Sequence, residues 1–102
     1  MAKPVGFSVS SDNIEWCTRE IAEGRYETFS ELVEFAMRLL LLEIRNGAQP
    51  VPKRHGKRVR KTVRVNEWVL DRLLETDMFD RSDIADFAIW TLRMEWDGDD
   101  PE

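Results

Sequence analysis

The chain has 102 residues, 42% of them hydrophobic, with 20 acidic and 15 basic side chains and a formal net charge of −5. That apolar content suits one small folded domain rather than a disordered chain, and its longest apolar block, Leu39-Leu40-Leu41-Leu42, is far short of the roughly 18 or more residues a membrane helix needs. The single cysteine, Cys17, excludes an internal disulfide, and no apolar leader opens the chain, so a cytoplasmic setting is expected.

The average charge conceals a sharp division. Residues 1–51 hold 5 basic and 8 acidic groups, and residues 65–102 hold 3 basic and 12 acidic groups. Between them, residues 52–64 hold 7 basic groups (Lys53, Arg54, Lys57, Arg58, Arg60, Lys61 and Arg64) and no acid. Exposed charges are screened beyond roughly 8–10 Å, so this segment can meet phosphate although the whole chain is acidic. The acidic remainder weakens loose, non-specific binding.

In chain order, Val5, Phe7 and Val9 alternate with Gly6, Ser8 and Ser10, the period of two that marks a strand. Ser11-Asp12-Asn13 supplies cap residues, and a helix is expected from about Asn13 to Glu23 with Ile14, Cys17 and Ile21 inward. Gly24 suits its left-handed end. Thr28-Phe29-Ser30-Glu31 is a capping box that opens a second helix to about Asn46, with Leu32, Phe35, Ala36, Leu39 and Leu40 as its core stripe. So many further apolar residues surround that stripe that the helix must be covered on several sides.

Residues 47–56, with two prolines and two glycines, read as a linker that could span roughly 33 Å when extended. Arg58 to Val65 alternates again, with Arg58, Arg60, Thr62 and Arg64 on one side and Val59, Val63 and Val65 on the other. Lys61 is the polar intruder on the apolar side. Asn66 is a cap for a third helix to about Thr76, with Val69, Leu70, Leu73 and Leu74 inward. Asp80-Arg81-Ser82-Asp83 then precedes a fourth helix to about Trp96, with Ile84, Phe87, Ala88 and Leu92 inward, and residues 97–102 form an acidic tail.

The chain repeats itself. Residues 30–37, Ser-Glu-Leu-Val-Glu-Phe-Ala-Met, align type for type with residues 82–89, Ser-Asp-Ile-Ala-Asp-Phe-Ala-Ile. The strand-to-helix spacing is four residues longer in the first copy, which predicts a first helix one turn longer than the third.

The stretches Thr62-Val63-Arg64-Val65-Asn66 before Val69-Leu70, and Gly24-Arg25-Tyr26 before Thr28 and Ser30-Glu31, give a pattern that resembles the ribbon-helix-helix family of DNA-binding proteins. The resemblance implies a mainly α fold with one two-stranded antiparallel β-ribbon: two ribbon-helix-helix units, 4–46 and 57–96, sharing one core as an intramolecular pseudodimer. It further implies a sequence-specific regulator of transcription, expected in a prokaryotic-type cytoplasm at the nucleoid, whose ribbon enters the major groove of double-stranded DNA. The family's base-contacting positions fall on Gly6, Ser8 and Ser10 of the first strand and on Arg60, Thr62 and Arg64 of the second. Its phosphate contacts fall on Phe29 and Ser30 and on Arg81 and Ser82, where helix N-termini favour an anion. Arg54, Lys57 and Arg58 add positive charge beside them. The first strand is neutral, so the second strand and the basic linker are expected to supply most of the affinity, on an asymmetric site. Self-association through Leu41, Ile44, Trp90 or Met94 would add a second ribbon.

Other functions have less support. The sole histidine, His55, has no Cys or carboxylate at ligand spacing, so no metal is expected. No nucleophile–base pair or phosphate-binding glycine loop is visible, which argues against an enzyme or a bound cofactor. An exposed edge strand protected by charge is the plain structural reading of the arginines. A protein-interaction module of the same fold, with weak or no DNA binding, is the alternative that the net charge favours. An antitoxin is less favoured, because few residues follow the last helix.

Overall fold

The two alternating stretches do become strands, and they pair with each other. The computed structural model describes residues 2–47 and 57–97. Strand β1 (Ala2–Ser10) and strand β2 (Arg58–Asn66) form one two-stranded antiparallel sheet, with Val5 opposite Val63, Gly6 opposite Thr62 and Ser8 opposite Arg60. Helix α1 (Ser11–Ala22) and helix α2 (Phe29–Arg45) follow β1; helix α3 (Glu67–Leu74) and helix α4 (Ile84–Asp97) follow β2. α1 has 12 residues and α3 has 8, the one-turn difference that the spacing predicts.

Each start and stop has a local cause. The Ser10 hydroxyl accepts from the Asn13 N–H, the Thr28 hydroxyl from the Glu31 N–H, and the Asn66 side chain from the N–H groups of Trp68 and Val69. Each satisfies a donor that the first helical turn leaves without a partner. Gly24 and Gly47 stand at φ of +85° and +97°, where a side chain would be strained. After α3 the same left-handed turn falls on Asp77, at φ +63°.

The expectation of two ribbon-helix-helix units forming a pseudodimer is corrected by this architecture. The described residues form one β-α-α-β-α-α body with one two-stranded sheet and one core among them, and the chain has a radius of gyration of 12.8 Å. One buried cluster takes Val5, Phe7 and Val9 from β1, Val63 and Val65 from β2, and side chains from all four helices. Burial is pooled across the whole chain, with both strands in one sheet and α2 packed chiefly on α4, so 4–46 and 57–96 do not stand as separate units. Nor are the halves alike, since β1, α1, β2 and α4 are tied together at one end by a buried polar network, while at the other the matching bond, Asn66 N–H to Glu34, is part-exposed. A repeat in sequence records shared local preferences; the fold is decided where burial is pooled.

The core stripes also differ from the expected ones. In α2 the buried residues are Leu32, Val33, Ala36, Met37, Leu40 and Leu41, whereas Phe35 is 48% exposed and rests on Tyr26. Pairs of adjacent positions face inward because α2 is covered by α4, β2 and α3 together. In α1, Asn13, Trp16, Cys17 and Glu20 are buried, while Ile14 and Ile21 are only half-buried. No helix among the described residues is long and apolar enough to cross a membrane. Most of the 47–56 linker and most of the 97–102 tail, with Arg54 and His55, lie outside the described residues.

Candidate nucleic-acid interface

The strand register divides the sheet into two faces. Val5 with Val63, Phe7 with Lys61 and Val9 with Val59 share the inner face; Pro4 with Arg64, Gly6 with Thr62 and Ser8 with Arg60 share the outer one. Arg60, Thr62 and Arg64 are exposed, at alternate positions roughly 6.6–6.8 Å apart along the strand. Among the described residues neither Arg60 nor Arg64 makes an ion pair. Opposite them stand only Pro4, Gly6 and Ser8, none of which projects a long side chain. The outer face therefore carries its reach and charge on one strand. Lys61 is exposed although it lies on the inner-face register.

Two of the residues placed on this surface from sequence are engaged elsewhere. Ser10 is 1% exposed; its hydroxyl caps α1 and its N–H donates to Asp86 Oδ1 at 2.8 Å. That correction follows from its being a cap, which turns the chain inward. Arg58 is paired with Asp83 and, at 3.4 Å, with Asp86, and it donates to the hydroxyl and carbonyl oxygens of Ser8 at 3.2 and 3.0 Å. Its guanidinium is thus paired within the fold.

Asp86 is the centre of this network. Its carboxylate, 3% exposed as a residue, accepts from the Ser10 N–H, from the Asn13 side-chain amide at 2.7 Å and from Arg58, and Arg93 donates to Asn13 Oδ1 at 3.0 Å. Buried carboxylates are rare unless paired in this way. The sequence held one signal for it: Asp86 is the charged residue inside the otherwise apolar run Ile84-Ala85-Phe87-Ala88-Ile89. Below the network, burial pushes the Cys17 thiol up to about 12, with the Glu20 carboxylate adding to the effect, so it remains an unreactive core residue.

The helix turns on either side of the ribbon are tied to its edges by serine. The Ser8 N–H donates to the Ser82 carbonyl at 2.7 Å, and the Arg64 N–H donates to the Ser30 hydroxyl at 3.1 Å. Both serines thus satisfy strand-edge N–H groups that would otherwise be open. Phe29 is half-buried against the core. Lys57 is exposed, and its carbonyl accepts from the Ser11 N–H.

The two flanks differ in charge. On the α4 side an open depression of about 480 Å³ is lined by Pro4, Val5, Gly6, Arg60, Arg81 and Ser82. On the α2 side a depression of about 350 Å³ is lined by Ser30, Glu31, Glu34, Phe35, Arg38 and Arg64. The first holds two guanidinium groups and no carboxylate. In the second, Glu34 is paired with Arg38 at 2.8 Å and accepts from the Asn66 N–H at 3.0 Å, while Glu31 accepts from the Glu27 N–H at 2.7 Å. Comparison of the chain with protein-family models, with curated proteins and with solved structures finds no match, so its family is left open by similarity.

Proposed function

We propose that this protein binds double-stranded DNA by laying the outer face of its two-stranded ribbon in the major groove, and that it regulates transcription at the nucleoid by doing so. The observation that carries this is the one-sided outer face: exposed Arg60, Thr62 and Arg64 without ion-pair partners among the described residues, above the small Gly6 and Ser8. A two-stranded ribbon fits the width of the major groove, where each base pair presents a distinct set of donors and acceptors. Arginine grips guanine at O6 and N7, and threonine meets base edges or the thymine methyl. The likeness of Thr62–Asn66 to ribbon-helix-helix strands supports the same reading.

Selection of bound duplexes from a random pool tests it. A shared motif of a few base pairs, lost when the pool is bound in high salt, supports the reading; recovery of no enriched motif contradicts it. A protein-interaction module is the second reading, favoured by apolar side chains left on the surface, Trp68 at 52% and Leu42 at 55% exposure. It predicts no binding to duplex DNA even at low salt.

A further inference from the structure

The long side chains of the outer face all spring from β2, and one of them does not stay there. A Cβ built on Gly6 would stand 3.0 Å from Nη2, 3.1 Å from Nε and 3.4 Å from Cζ of Arg60. In the register Arg60 is paired with Ser8, whereas Gly6 is the next outer position of β1 and is paired with Thr62. The Arg60 guanidinium therefore crosses the ribbon on the diagonal, a reach open to long side chains. It rests against the Gly6 backbone, level with Thr62 and midway along the ribbon. β1 has nothing of its own to present there. Pro4 and Gly6 carry no polar side chain, and the Ser8 hydroxyl and carbonyl already accept from Arg58 at 3.2 and 3.0 Å. Arg64 stays at its own end of the ribbon, beside Ser30 and Glu34.

We infer that Gly6 is a specificity-determining residue: by leaving room for the Arg60 guanidinium over β1, it sets how far apart on the duplex Arg60 and Arg64 read. The inference rests on the DNA-binding reading above and adds the spacing of the recognised site to it. Gly6 touches no base; its part is to have no side chain. Alternate positions along a strand are roughly 6.6–6.8 Å apart, which is about two base pairs of B-DNA at roughly 3.4 Å each. Standing up from its own position, Arg60 would read about four base pairs from Arg64. Drawn to the level of Thr62, it reads about two base pairs from Arg64 instead, with Thr62 beside it on β2. The recognised element is thus short, and the strand without charge is served by an arginine of its neighbour.

The test is selection of bound duplexes from a random pool by the unaltered chain and by Gly6→Ala, Gly6→Val, Arg60→Ala and Arg64→Ala, with the spacing of enriched guanines read from each set. The unaltered chain should return two guanines about two base pairs apart, one lost in Arg60→Ala and the other in Arg64→Ala. In fluorescence anisotropy on single-base variants of that duplex, replacing either guanine should weaken binding about five- to a hundredfold. Gly6→Val sets two methyl groups where the guanidinium lies, so the Arg60 guanine should move out to about four base pairs while the Arg64 guanine stays. Gly6→Ala should keep the original spacing, because a lone Cβ needs the flexible guanidinium to yield by only a few tenths of an ångström. Valine suits a strand, and circular dichroism checks that each variant is folded. An unchanged spacing in Gly6→Val, or the same change in Gly6→Ala, overturns the assignment while leaving DNA binding in place. Absence of binding by the unaltered chain overturns the DNA reading and this assignment with it.

Discussion

Replacing Asp86 with alanine should cost the fold about 3–4 kcal/mol, more than any exposed charge in the chain. The magnitude follows from what the carboxylate holds. The Ser10 N–H, bonded at 2.8 Å, loses its acceptor in a site 1% exposed, and an orphaned buried donor costs about 1–3 kcal/mol. The Asn13 amide loses a 2.7 Å bond but keeps a 3.3 Å bond to the Asp86 carbonyl, so its loss stands at the low end of that range. Arg58 keeps Asp83 and Ser8 and adds about 1 kcal/mol. Domains of this size are stable by about 5–15 kcal/mol, so the loss is a large share of the whole. Asp86→Asn can retain an oxygen at the Oδ1 position, but its amide NH2 then sets a donor where Arg58 had an acceptor, so the hydrogen bond is lost with the charge, which should cost about 1–2 kcal/mol. Glu34, at the other end of the ribbon, is 28% exposed, pairs with Arg38 on the helix surface and accepts from the part-buried Asn66 N–H at 3.0 Å, so Glu34→Ala should cost about 1–2 kcal/mol, less than Asp86→Ala. Urea unfolding followed by circular dichroism, with the slope m unchanged, measures all three. An Asp86→Ala cost no greater than that of Glu34→Ala would refute the claim that the two ends of the ribbon are built differently.

Asp77→Gly should raise stability by roughly 0.5–1 kcal/mol in the same assay, because Asp77 stands at φ +63° where an L-residue pays about 1–2 kcal/mol and glycine does not; Gly24→Ala should do the reverse. Thr28→Ala removes the acceptor for the Glu31 N–H and should cost about 1 kcal/mol. Cys17 should resist iodoacetamide at pH 8 in the native protein and react once the chain is unfolded. Since its folded pKa lies above the unfolded value of 9.0, the folded state holds the proton longer. Stability should therefore fall as pH rises from about 9 towards 12, by up to about 1.4 kcal/mol per unit, and Cys17→Ala should lose that slope.

Elements were legible from sequence wherever the cause is local. The alternation around Phe7 and Val63, the caps at Ser10, Thr28 and Asn66, and the left-handed turns at Gly24 and Gly47 all act within a few residues. The inequality of the two halves was not legible in the same way: the likeness of 30–37 to 82–89 suggests two alike units, whereas the Asp86 network buries one end of the ribbon and the Glu34 contact leaves the other part-exposed. The stripe of α2 was misplaced for a related reason: a helix apolar on most sides has no single inward face until its neighbours are known, so Phe35 and Met37 exchange roles. At the candidate site, Arg60, Thr62 and Arg64 are exposed on the outer face as strand alternation requires. Arg58, one step earlier in the same alternation, is captured by Asp83 and Asp86 from α4 and the turn before it, partners 25 and 28 residues away that no pattern within the strand announces.

The central claim, that the outer face of the ribbon holds duplex DNA, is tested most directly by titrating one duplex pool with the unaltered chain and with the Arg60→Ala/Arg64→Ala double variant, at 50 mM and 200 mM salt. Binding by the unaltered chain that weakens steeply with salt, and its loss in a double variant that melts like the parent, is the predicted result. Full affinity in the double variant, or none in the unaltered chain at the lower salt, contradicts it.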